Sequence, residues 1–75
     1  MMIQRFAVIL VGSTSHAMRA ENLLNRAGID CKLIPVPRNL SSDCGLCLRI
    51  ASGDAAKARG ILEKAKVQVE AIHTL

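Results

Sequence analysis

Two of the three cysteines lie close together in a short polar segment, which carries the clearest chemical signal of the sequence. The segment runs from Ser41 to Cys47 and reads SSDCGLC. A thiolate is the nucleophilic form of cysteine, and a neighbouring helix N-terminus or cation lowers the pKa of a thiol. Arg38 and Arg49 flank the segment, and Gly45 leaves room for another backbone to approach. Cys44 is therefore a candidate nucleophile, and the alternative is an ordinary small apolar residue where a loop meets a strand.

The C-x-x-C spacing of Cys44 and Cys47 also occurs in redox motifs and zinc sites. In redox motifs the first cysteine usually opens a helix, whereas here the pair leads into a strand. The sequence has no second C-x-x-C that would complete a four-ligand zinc site. Adding Cys31 and His16 as ligands would require Cys31 to approach from the far end of another strand. We therefore expect neither a metal nor a cofactor, and we keep Cys47 as the alternative redox partner of Cys44.

A second polar group follows the first apolar run of the chain. Ser13 and Thr14 resemble a small anion-binding cradle at the start of a helix, although ordinary helix capping also accounts for them. His16 is placed to hydrogen-bond or protonate a group bound at Cys44. The alternative for His16 is an exposed histidine in the first turn of the helix.

The elements that must position these residues follow from hydrophobic periodicity. In chain order we predict a strand over 5–11, a helix from Ser13 or Thr14 to Ala27, strands over 31–36 and 46–51, a helix opened by 52–54 and reaching Ala65, and a strand over 67–71. The first helix places Ala17, Ala20, Leu24 and Ala27 on one face, Gly28 ends it, and Met18 is expected in the core. Pro35 and Pro37 lack the N–H that a sheet ladder needs, so the second strand should lie at a sheet edge.

The order βαββαβ predicts an α+β fold, a ferredoxin-like two-layer sandwich with a four-stranded antiparallel sheet and two helices on one face. We expect a single domain over residues 1–75, with the third strand between the first and the second. This topology brings Cys44 beside the end of the first strand and the segment 13–16. The sheet face away from the helices is apolar whether it carries Ala7 or the alternate residues Phe6, Val8 and Leu10. We therefore expect a homo-oligomer.

Composition excludes several classes of function. The chain has 75 residues, 51% of them hydrophobic, and a net charge of +4, with Phe6 as its one aromatic residue. Proteins that stack nucleic-acid bases on aromatic side chains are thereby excluded, and because the basic residues are mostly scattered we do not expect nucleic acid as a partner. The apolar run over 6–11 is far shorter than the roughly 20 residues that span a membrane. We expect a cytoplasmic protein with reduced thiols and no membrane contact.

Residues along most of the chain, from 5 to about 70, resemble a small bacterial domain family described as selenium/sulfur (Se/S) carrier-like. The matching positions are Phe6, the run from Ser13 to Met18, Glu21, Gly28, the run from Ile34 to Arg38, Ser41, Ser42 and the run from Cys44 to Leu46. The resemblance implies that Cys44 is the position that carries a persulfide sulfur or selenium. Cys47 stands where we would expect a small residue such as alanine, which leaves an internal disulfide open.

Together these observations favour a cytoplasmic sulfur or selenium carrier rather than a true enzyme. Cys44 would accept a persulfide-type sulfur from a donor enzyme and pass it to a client protein. Arg38 and the helix start at Ser13 and Thr14 would stabilise the anion, and Gly45 would give access. Two alternatives remain: a thiol–disulfide redox module that uses Cys44 with Cys47, and a non-catalytic dimerising or regulatory domain.

Overall fold

The computed structural model describes residues 5–40 and 45–75. The elements are β1 (Phe6–Val11), α1 (Thr14–Arg26), β2 (Lys32–Pro35), β3 (Leu46–Ala51), α2 (Ala55–Lys64) and β4 (Val69–Thr74), with a short 3₁₀ turn (Ser52–Asp54) leading into α2. The βαββαβ order predicted from periodicity is confirmed. The last strand begins later than expected, because Val67 still belongs to the turn that ends α2.

The four strands form one sheet in the order β2-β3-β1-β4. β1 pairs antiparallel with both β3 and β4, and β2 pairs antiparallel with β3. The third strand therefore lies between the first and the second, as predicted, and the fold is ferredoxin-like. β2 lies at an edge of the sheet and ends at Pro35. This is the predicted position, because a proline has no N–H to donate to a neighbouring strand.

The main core lies between the sheet and the two helices. Ile9 of β1 and Leu48 of β3 are fully buried there, against Leu24 of α1 and Leu62 of α2. Burying an aliphatic side chain of this size stabilises the fold by about 1.5–3 kcal/mol. Both helices thus cover the sheet face that carries Ile9, and we call the opposite face the outer face.

Both helices end in the same hydrogen-bonded pattern. After α1, the N–H of Ile29 donates to the carbonyl of Leu24 at 2.9 Å, and Gly28 takes a left-handed conformation with φ +84°. This is the Schellman arrangement, in which a left-handed residue lets the chain turn back to pair the last carbonyls. α2 ends in the same way, but Lys66 occupies the left-handed position, with φ +61°.

Two side chains of the first helix are more exposed than its pattern predicted. The buried residues of α1 are Ala17, Ala20 and Leu24. Met18 follows Ala17 by one residue, about 100° around the helix, and is 59% exposed; its expected place in the core was wrong. Ala27 follows the last helical residue as the C-cap and is exposed.

Part of the outer face is covered by the chain itself. Val8, Leu10 and Cys47 are buried there, although we had expected this face to be open for self-association. The residues packed against them are Ile34, Val36, Leu40 and Ala71. Val36 and Leu40 belong to the connection between β2 and β3, so this connection folds back over the sheet and supplies a second, smaller core.

Candidate functional site

The residues that flank the candidate nucleophile define the site, because Cys44 and the segment 41–43 lie outside the described residues. Gly45 is exposed and has φ +76°, a conformation that L side chains rarely adopt. Its carbonyl accepts a hydrogen bond from the Val36 N–H at 3.1 Å. The backbone on the C-terminal side of Cys44 is therefore fixed to the end of the sheet by a turn that requires glycine.

Gly45 lies at the same end of the sheet as the start of α1. The last antiparallel pair between β1 and β3 joins Leu10 to Cys47. Continuing that register by two residues on each strand places Gly12 opposite Gly45. α1 begins at Thr14, two residues after Gly12, so Gly45 and the start of α1 lie at the same end of the sheet. The predicted approach of Cys44 itself to residues 13–16 lies outside the described residues and stays a prediction.

Ser13 is the N-cap of α1. Its Oγ accepts a hydrogen bond from the backbone N–H of His16 at 3.2 Å, as helix N-caps commonly do. Thr14 and the side chain of His16 are exposed in the first turn, which contains no acidic residue. The partial positive charge of a helix N-terminus favours an anion at this position.

Arg38 lies in a turn of the connection between β2 and β3. The turn is closed by the N–H of Leu40, which donates to the carbonyl of Pro37 at 2.9 Å. Arg38 is exposed, and it follows by two residues the Val36 that pairs with Gly45. The turn thus carries a cation at the end of the sheet where Gly45 lies.

The sequence analysis missed one acidic residue at this end of the sheet. Oε1 of Glu70 lies 3.3 Å from the position that a Cβ atom on Gly12 would occupy. The register of β1 with β4 shifts between Leu10 and Val11, and this irregularity accompanies the approach of Glu70. A carboxylate beside the start of a helix stabilises the helix, because it interacts favourably with the helix dipole, but it disfavours a second anion nearby. No signal in the sequence reveals such a shift in register.

The other two cysteines are buried on opposite faces of the sheet. Cys31 belongs to the core under the helices, and its backbone N–H donates to Oδ1 of Asn25 at 3.3 Å. Burial raises the pKa of the Cys31 thiol to about 12, with smaller contributions from the charges of Glu21 and Asp30. A thiol with such a pKa is almost entirely protonated at neutral pH.

Cys47 lies in the smaller core of the outer face and is completely buried. Its Sγ lies 3.9 Å from the carbonyl oxygen of Pro35. Its side chain points away from the face that carries Leu48, as the alternation of the strand predicted. The sheet separates Cys47 from Cys31, so these two thiols do not form a pair.

Other kinds of site find little support in the part of the chain that the structure describes. Over residues 5–40 and 45–75, no group of three His, Cys, Asp or Glu side chains could hold a metal ion. Within the same ranges, no helix is both long and apolar enough to cross a membrane. A groove of about 430 Å³ is lined entirely by residues of α1 between Met18 and Arg26. Because its walls come from one helix, it is a surface groove rather than an enclosed pocket.

Comparison with known proteins identifies one family. The family model described as "Putative Se/S carrier protein-like" matches residues 6–74, which is nearly the whole chain. No curated protein and no solved structure gives a significant match. The matched range includes every residue of the candidate site.

Proposed function

Because the chain belongs to the Se/S carrier protein-like family, we propose that it carries sulfur or selenium on Cys44 between a donor enzyme and a client protein. The observation that carries the assignment to Cys44 is the burial of the other two cysteines. Cys31 and Cys47 are each at most 4% exposed, so neither offers a sulfur atom that a donor protein could reach. The reaction belongs in a reducing compartment, the cytoplasm, where free thiols persist.

The proposed step is a thiol–persulfide exchange. The Cys44 thiolate attacks the terminal sulfur of a donor persulfide, R–S–SH, and forms the new S–S bond of Cys44–S–SH. The S–S bond of the donor breaks, and its electron pair leaves with the donor as the thiolate R–S⁻. Transfer to a client thiolate repeats the exchange and regenerates the Cys44 thiolate, so no external oxidant or reductant is consumed.

The residues around Cys44 have distinct proposed roles. Gly45 is exposed, and its lack of a side chain would give a second protein access to Cys44. The start of α1 at Ser13 and Thr14 favours the thiolate over the thiol, and Arg38 adds a positive charge at the same end of the sheet. His16 supplies a proton donor in the first turn of α1.

The redox alternative requires Cys47 to form a disulfide with Cys44. Cys47 is completely buried and packs against Val8 and Leu10. Thiol–disulfide exchange requires access to the attacked sulfur, so a disulfide at Cys47 would be difficult for a partner thiol to reduce. The burial of Cys47 therefore favours the carrier over the redox module.

The intact mass of the protein after incubation with a persulfide donor tests the proposal. We expect the reduced protein to gain the mass of one sulfur atom, and to lose it again when a small thiol is added. A loss of two hydrogen atoms instead would identify the redox module. An unchanged mass would support the remaining alternative, a non-catalytic dimerising or regulatory domain. Incubation with the same donor after its persulfide has been reduced to the thiol is the matched control.

A further inference from the structure

A row of basic residues crosses the outer face beside the smaller core. Lys32 of β2 pairs directly with Arg49 of β3, Arg49 pairs with Val8 of β1, and Val8 pairs with His73 of β4. Directly opposite residues in an antiparallel sheet share a face. All four residues therefore lie on the outer face, and we call Lys32, Arg49 and His73 the basic row.

The charges of the basic row are not neutralised by ion pairs within the described residues. The ion pair found in that part of the chain joins Arg59 to Glu63 on α2. Like charges directly opposite each other destabilise a sheet, and Lys32 faces Arg49 in this way. Both line a small pocket of about 20 Å³ together with Asp30 and Phe6, so one carboxylate stands near two cations.

Phe6 orients the central cation of the row. The guanidinium carbon of Arg49 lies 4.4 Å from the centroid of the Phe6 ring, a cation–π contact. The contact holds the planar guanidinium over the face of the ring and leaves N–H donors for an acceptor. A planar donor fixed in this way is suited to bind a carboxylate in a bidentate geometry.

We propose that the basic row docks a carboxylate-rich segment of a partner protein, which, if the proposed carrier function holds, is the donor or the client. Carboxylates would relieve the repulsion between Lys32 and Arg49. A second copy of this chain would instead bring the same cations face to face, and each copy carries a net charge of +4. A nucleic acid finds no free stacking platform there, because Arg49 covers the ring of Phe6.

The position of the row relates docking to the carrier site. Arg49 lies two residues after Cys47 along β3, and the smaller core around Cys47 is covered by Leu40. Leu40 and Gly45 bound the segment 41–44 in the sequence. A partner seated on the basic row therefore lies on the same face as the connection that carries Cys44, with the apolar side chains of Val36 and Leu40 beside it.

Titration of the ¹⁵N-labelled protein with an acetylated peptide of alternating glutamate and leucine tests this proposal. We expect saturable shifts of the backbone amides around Lys32, Arg49 and Phe6, and no saturation with a peptide in which lysine replaces glutamate. Changing Lys32→Gln and Arg49→Gln together should weaken binding about tenfold, because two charge-assisted contacts are lost. Arg49→Lys, which keeps the charge but not the planar donor, should have an intermediate effect.

The matched control removes two exposed charges from α2 by Lys57→Gln and Lys64→Gln, with the same change in net charge. Equal weakening in this control, or shifts centred on α2, would overturn the proposal, since binding would then follow net charge alone. Tighter binding of a single-stranded oligonucleotide to the same row would also overturn it. The spectra report whether each variant is folded. The titration uses no sulfur donor, so its failure and a failure of Cys44 loading are separate results.

Discussion

Cys31 and Cys47 are the two cysteines of the described chain, and both are buried in apolar surroundings. For Cys31 the surroundings disfavour the thiolate, since burial raises its pKa to about 12. A thiol that is both buried and protonated reacts slowly with any electrophile. At the scale of single residues, burial therefore argues against Cys31 and Cys47 as reactive thiols.

The first prediction compares rates of alkylation. At neutral pH we expect iodoacetamide to modify Cys44 faster than Cys31 in the folded protein, because the proposed thiolate is stabilised at the start of α1 and that of Cys31 is not. Peptide mapping by mass spectrometry at successive times measures the rates separately. Labelling of the protein unfolded in urea provides the reference, in which the two cysteines should react at equal rates. Equal rates in the folded protein as well would count against an activated thiol.

The second prediction concerns the effect of pH on stability. Burial raises the pKa of Cys31 to about 12 in the folded protein, above its ordinary value of 9.0, so the folded state holds a proton that the unfolded state releases. Stability from this group is fully present below about pH 9 and is lost as the pH rises towards 12. We expect the free energy of unfolding in urea to fall over this window, and to fall less steeply in Cys31→Ala. Parallel slopes for the two proteins would contradict the assignment.

The ends of the two helices differ in one chemical respect. Gly28 and Lys66 occupy equivalent left-handed positions, and only glycine adopts that conformation without steric cost. A Cβ atom on Gly28 would meet no heavy atom within 4 Å, so any cost of adding one comes from the backbone alone. Gly28 and Lys66 therefore provide a controlled comparison of the same backbone conformation at the ends of two helices.

The third prediction follows from this comparison. We expect Lys66→Gly to raise the free energy of unfolding by about 0.5–1 kcal/mol, and Gly28→Ala to lower it by about 1 kcal/mol. Thermal unfolding measures both, and 1 kcal/mol corresponds to a change in Tm of roughly 4–8 °C for a domain of this size. A loss of stability in Lys66→Gly would show that the lysine side chain contributes more than the strained backbone costs.

The elements could be predicted from the sequence because each has a clear local pattern. The apolar run of β1, the alternation of β3 and the glycine after α1 are local signals, and the order of the elements then restricts the topology. The packing of Val36 and Leu40 on the outer face could not be predicted in this way, because both lie in a connection whose polar residues indicate a loop. Their packing depends on long-range contacts.

The candidate site was predictable to a similar extent. Ser13 was expected to cap α1 and does so, since capping is a local interaction. The proximity of Glu70 to Gly12 depends on an irregular register, and the row formed by Lys32 and Arg49 depends on the pairing of strands that are far apart in sequence. Cys44 lies outside the described residues, and its role stays a prediction.

At the scale of the whole molecule, the sheet separates three regions. The face under the helices supplies the main core, the outer face combines a smaller core with the basic row, and the end of the sheet near Gly45 and Thr14 carries the candidate site. In the proposed mechanism, a partner docks on the basic row while its sulfur is received at the candidate site. The central claim is that the sulfur is received at Cys44.

Sulfur loading of variants that each replace one cysteine tests that claim most directly. The variants Cys44→Ser, Cys47→Ser and Cys31→Ser are incubated with the same persulfide donor, and the fraction of each that gains one sulfur atom is measured by intact mass spectrometry, with circular dichroism to confirm folding. We predict that Cys44→Ser abolishes loading, whereas Cys47→Ser and Cys31→Ser retain most of it. Loss of loading in Cys47→Ser as complete as in Cys44→Ser would contradict the carrier account and replace it with a redox pair.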